Sequence, residues 1–301
     1  GTALAAAQVA PTAAWPDGLC RRLGDGPAWL KSAGHLNGPA LCDFVADLAA
    51  SLKDVPEVAP YLDDEVLDAL WSWADLWDGT FAQRLHSRPD LPMVMESTIG
   101  VSDAERYLAL TRTLMDAMLA AGPIADLYTA MGIAGTFTEQ ARMSGDQPVH
   151  RVSYTIDETK LDPAQAEQLR TSLRDLEFAL PPGCLVMAQV PADLDRLLAG
   201  GAVPMTLTAA TAIGPGRDLL MDLDLIGCAK DYATVLPVPW SQPLQEAFAP
   251  LAPGEPVVFA WTADQGRSLG EWRVPLQPII DLIAAGRAAF TAPPPENLQE
   301  F

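Results

Sequence analysis

Between Met205 and Cys228 the chain reads MTLTAATAIGPGRDLLMDLDLIGC, and no other stretch constrains the fold as much. Met205, Leu207, Ala209, Thr211 and Ile213 fall on one face of an extended chain. Leu219, Met221, Leu223 and Leu225 fall on one face of a second. A period of two with one apolar face marks a half-buried strand. Gly214-Pro215-Gly216 supplies turn chemistry between the arms, glycine admitting positive φ and proline presetting it. The pattern predicts a β-hairpin over 205–228. Asp222 and Asp224 then share its solvent face. As an Asp-x-Asp pair they are also the weak candidates for a divalent cation.

The same order of elements recurs. PMVMESTIGV (92–101) reads as a strand, and Ser102-Asp103-Ala104-Glu105 opens a helix with a capping-box pattern. Gly122-Pro123 stops it, and a hairpin turning at Ser144-Gly145-Asp146-Gln147 follows. After a helix from Asp162-Pro163 to about Phe178, CLVMAQV gives a strand, Pro191-Ala192-Asp193 a short helix, and the 205–228 hairpin comes next. PVVFAW and a final helix over about 275–290 begin a third copy. These strand–helix–hairpin units predict an α+β fold with a mainly antiparallel sheet and helices packed on one face. Residues 1–27 read as an extended lead-in, 28–90 as a helical region, 91–290 as the α+β domain with a lobe boundary near 157–180, and 291–301 as an irregular tail.

The formal charge of −20 argues against nucleic acid and anionic lipid as partners. No apolar run reaches the length of a membrane span. The Ala/Pro-rich start GTALAAAQVAPTAAWP resembles the segment left when a signal peptide or lipid anchor is removed, although an expression scar reads the same way. Cys20, Cys42, Cys184 and Cys228 are even in number and match no zinc spacing. Two disulfides in an oxidising compartment are therefore expected, with Cys184–Cys228 one pairing, against the alternative of four buried thiols.

Catalytic signals are sparse. His35, His86 and His150 lie far apart in sequence, and there is no Gly-x-Ser-x-Gly elbow. His86 falls in a polar loop and is expected in solvent, and His150 shares the face of Val152 and Tyr154, where a core or hairpin-edge histidine is expected. Gly132-Ile133-Ala134-Gly135 lacks the strand-before, helix-after context of a dinucleotide loop, so no cofactor is expected. Trp71, Trp73 and Trp77 are expected on one helix whose apolar stripe cannot hold all three, which marks a ligand or partner surface against the reading that the helix is packed on two sides. Asp63, Asp64, Glu65 and Asp68 read as a solvated helix start.

The reading these features support is a non-enzymatic, extracytoplasmic binding protein or an accessory subunit of a cell-envelope assembly. A protein partner would meet its termini or the Trp-rich helix. Two alternatives stand beside it: a hydrolase with a Ser/His/Asp site assembled from scattered residues, and a purely structural subunit.

Overall fold

A computed structural model describes residues 15–36, 75–88, 91–120, 123–201, 203–214, 217–236, 240–264 and 267–291, with isolated positions between 47 and 72. Ten strands form one sheet: β1 (Leu30–His35), β2 (Trp77–Arg88), β3 (Leu91–Val101), β4 (Ile133–Ser144), β5 (Gln147–Ile156), β6 (Leu176–Ala179), β7 (Cys184–Ala188), β8 (Leu219–Leu223), β9 (Val257–Asp264) and β10 (Arg267–Arg273). Their order is β10-β9-β8-β1-β2-β3-β7-β6-β5-β4, and every neighbouring pair is antiparallel. The helices are α1 (Asp17–Leu23), α2 (Ala104–Met115), α3 (Pro123–Ala130), α4 (Pro163–Ser172), α5 (Pro191–Ala199), α6 (Thr208–Ala212), α7 (Leu225–Val235), α8 (Ser241–Phe248) and α9 (Leu276–Thr291).

The mixed class, the antiparallel sheet, the 133–156 hairpin, β3, β7, β9 and the starts of α4 and α5 agree with the sequence pattern. Asp162 and Gln165 close the capping box of α4. The helix ends at Ser172, however, and the residues leading to Phe178 turn into β6.

The hairpin expected at 205–228 does not form. Thr208–Ala212 is a short helix, and only Leu219–Leu223 is a strand, pairing with β1 and β9. The cause is Asp222, which is buried and accepts the backbone N–H groups of Thr208 and Ala209. Those donors have no intrahelical partner at a helix start, so a buried carboxylate is a strong substitute for a strand ladder. Asp224 caps α7 by accepting from the Ile226 N–H at 3.0 Å. Neither aspartate is the solvated strand position expected, and both are engaged as helix anchors rather than as a cation pair.

Helices pack on both faces, not one. Leu19, Cys20 and Leu23 of α1, Leu194 and Leu197 of α5 and Ala209 of α6 meet Ala33, Ala82, Val186, Leu220 and Ala260 in the larger core. Ala33, Ala82, Leu220 and Ala260 lie in one lateral row of paired residues, three of them alanine, so the helices approach the sheet closely. On the opposite face, Tyr107 of α2 joins Val101, Leu185 and Phe178 in a second core. The stretch expected as a helical region contributes β1 and β2 to the middle of the sheet, and α1 lies in the stretch expected as an extended lead-in.

Candidate functional site

The face under α1 and α5 carries an unusual line of charge. Following the strand registers, Asp222, Lys31, Arg84, Glu96, Ala188, Glu177 and Arg151 stand side by side across β8, β1, β2, β3, β7, β6 and β5. Cross-strand neighbours of opposite sign stabilise a sheet, and here the carboxylates are sealed from water. Glu96 is 0 % exposed, and Glu177 is 2 % exposed.

Each buried glutamate is held by guanidinium groups. Arg84 Nε donates to Glu96 Oε2 at 2.9 Å, Arg196 from α5 donates to the same oxygen, and His86 Nε2 lies 2.9 Å from Oε1. Burial alone pushes the Glu96 carboxyl up. The hydrogen bonds from His86 and Arg84, the charge of Arg84 and the bond from Arg196 outweigh it and hold the pKa at about 2. Glu177 repeats the arrangement, accepting from Arg142 at 2.7 Å and from Arg151 at 3.0 Å. Burial again raises its pKa, and the two arginines more than reverse that. Arg142 reaches Glu177 past an irregular β4, which advances four positions from Thr138 while β5 steps back only two, from Arg151 to Val149. Gln140, inside the irregularity, has φ of 50°.

His86, Glu96 and Asp193 place ligand-type atoms within 4.8 Å of one another. Arg84 and Arg196 grip Glu96, and Arg88 grips Asp193. A divalent cation there would face three guanidinium charges, so the cluster serves to dock α5 on the sheet rather than to bind metal. His86, expected in a solvated loop, instead belongs to β2 and bonds to a buried carboxylate. Among the described residues it meets neither a hydroxyl nor a thiol, so it does not form the triad a hydrolase requires. His150 is buried as expected. It stacks on Phe178 with ring centroids 5.1 Å apart, and burial lowers its pKa, with partial relief from Glu139.

An apolar slot lies on the other face. A slot of about 150 Å³ opens between α2 and strands β5, β6 and β7. It is lined by Tyr107, Thr111, Leu114 and Met115 from the helix and by Val152, Leu176, Phe178, Leu185 and Met187 from the strands. Tyr107, Thr111 and Leu114 recur at four- and three-residue steps, the spacing of one helix face. The Thr111 hydroxyl donates to the Tyr107 carbonyl at 2.8 Å, so it offers the slot no free donor. Asp103 starts α2 by accepting from Arg106 N–H, one place after the serine expected to cap it. Beyond Met115 the helix widens into a π-turn, Asp116–Ala120. Such turns insert an extra residue and frequently mark functional positions. Leu119 of this turn lies against β4, where a Cβ on Gly135 would come within 2.4 Å of Leu119 Cδ2. Glycine at 135 thus lets the π-turn lie close against β4. Periodicity in 104–115 announced the helix, but the slot depends on β6, which the sequence pattern hid.

Of the tryptophans expected to mark a surface, Trp77 begins β2. Its indole N–H donates to the Thr80 carbonyl at 3.0 Å, and its ring lies 6.5 Å from that of Phe81. Trp71 and Trp73 lie outside the described residues, as does Cys42. Cys20, Cys184 and Cys228 are free thiols. The expected Cys184–Cys228 bond is absent because Cys184 opens β7 in the larger core, while Cys228 belongs to α7.

No family model and no curated protein matches the chain. Two crystal forms of the Treponema protein TP0453 align with it. One is 11% identical over 88% of this chain and 85% of that chain, with a TM-score of 0.36. The other is 10% identical over 91% and 86%, with a TM-score of 0.35. A likeness of this size carries no argument about function. No helix among the described residues is long and apolar enough to cross a membrane.

Proposed function

We propose that the chain is a non-enzymatic binding protein that takes an apolar group into the slot between α2 and β5–β7. The observation that carries this reading is a preformed slot whose lining side chains are all apolar except those of Tyr107 and Thr111. Small-molecule sites are mostly apolar and largely preformed. A slot of about 150 Å³ lined by aliphatic and aromatic side chains has room for a benzene-sized guest. The ligand class is therefore a compact apolar group: a phenyl ring, or the end of an alkyl chain, with any polar part left outside. The extracytoplasmic, envelope-associated setting belongs to the proposal, and its support is the net charge of −20. The free thiols of Cys184 and Cys228 add nothing to it.

Isothermal calorimetry with benzene tests the reading. One equivalent binding to the native protein and none to a Val152→Phe variant of unchanged melting temperature would support it, since phenylalanine fills the slot from the strand side. Equal binding by both proteins, or by neither, would sink it.

A further inference from the structure

We infer that α9 is a self-association surface on which a second copy of this chain docks antiparallel. The proposal is independent of the slot. Leu276, Ile280, Ile283 and Phe290 of α9 are 70%, 55%, 51% and 57% exposed. Together with Arg287 they sit at successive steps of four, three, four and three residues. Steps averaging 3.5 residues define a narrow seam along a helix, the pattern that takes a partner helix by knobs-into-holes packing. The other side of α9 meets the body of the protein, where Pro278 is buried and the helix packs on α7 and α8. A helix apolar on both sides is one whose outer side is also meant to be covered. Trp240, 53% exposed, extends the seam, its ring 5.4 Å from that of Phe290.

Three considerations select a second copy. First, α9 is electrically neutral, with Asp281 and Arg287 cancelling (−1 + 1 = 0), in a chain of net charge −20. This is a local patch on which two acidic molecules can meet, whereas an anionic lipid surface would be repelled by the rest of the chain. Second, the seam matches itself. About a twofold axis at Ile283, Leu276 meets Phe290 of the other copy, Ile283 meets its own equivalent, and Arg287 falls beside Ile279 and Ile280. A parallel pair would set the two Arg287 side chains against each other. Third, the area fits a weak dimer. The five exposed apolar side chains and their neighbours Ala284 and Ala288 offer on the order of 500 Å² per copy, or about 1,000 Å² in total, which is the lower bound for a specific interface.

Sedimentation equilibrium of the full chain across the micromolar range tests this, run beside Ile283→Glu and Ile280→Glu variants. These positions are exposed, so the variants should keep the parent melting temperature. The expected result is a weight-average mass that rises with concentration from 32.1 kDa toward twice that value for the parent, and a constant monomer mass for both variants. A parent that stays monomeric would overturn the proposal, as would variants that dimerise like the parent. Flotation with phosphatidylcholine vesicles by a monomeric parent, lost in Ile283→Glu, would overturn it in favour of a lipid-facing helix.

Discussion

The carboxylate of Asp222 accepts the backbone N–H of Ala209 at 2.8 Å, joining the middle of β8 to the first turn of a helix thirteen residues upstream. This bond, with its twin to the Thr208 N–H, converts an alternating sequence into a helix followed by a strand. Replacing Asp222 by alanine leaves two donors unmet, the buried Ala209 N–H among them, and should cost about 1–3 kcal/mol. Chemical denaturation checks this, and asparagine, which still accepts one bond, should recover part of the loss.

Glu96 makes stability depend on acid. Its folded pKa lies at about 2, below the ordinary value of 4.5. The unfolded chain therefore binds a proton first as pH falls. The stabilisation is complete above pH 4.5 and drains away as pH falls through 4.5 toward 2, by about 3 kcal/mol for a shift of this size. Glu177, also depressed, adds a loss of the same sign. Denaturant melts at stepped pH should show the loss in the parent protein. Glu96→Gln should be less stable at neutral pH and lose less stability across the same interval, keeping only the part due to Glu177 and the other depressed carboxylates. An equally steep curve in the variant would remove Glu96 from the account.

The thiols should report their burial. Burial, with help from Asp17, pushes the Cys20 pKa up to about 12, and burial also raises Cys184 and Cys228. Since the thiolate is the reactive form, none of the three should be activated. Alkylation of the native protein should label the half-buried Cys228 before Cys20 and Cys184, and denaturation without reductant should release all three. A Cys184–Cys228 cross-link in the mass map would contradict the packing of β7 and α7.

Much of the sheet could be read from alternation, but β1 and β2 could not, and the reason is chemical. The face of β2 that looks into the protein carries Ala82, Arg84 and His86, and that of β1 carries Lys31, Ala33 and His35. Hydropathy patterns assume that the inner face is apolar. Here charges are buried opposite charges, so the strands resemble loops. A usable signal was present in the antiparallel match of Arg84 with Glu96. β6 was hidden differently, because Glu177 sits inward on a strand of four residues between a helix and a Pro-Pro-Gly turn. The slot needs β6 for Leu176 and Phe178, so its existence followed from tertiary pairing, while the helix that covers it was legible from its apolar spacing.

The central claim is that the slot beneath α2 receives an apolar guest. Met115 and Met187 line it, and Met143 on β4 is exposed and serves as a control. With methyl-labelled methionine, benzene should shift the signals of Met115 and Met187 saturably and leave Met143 unmoved, and Val152→Phe should abolish the response. Unchanged Met115 and Met187 signals at saturating benzene would contradict the account.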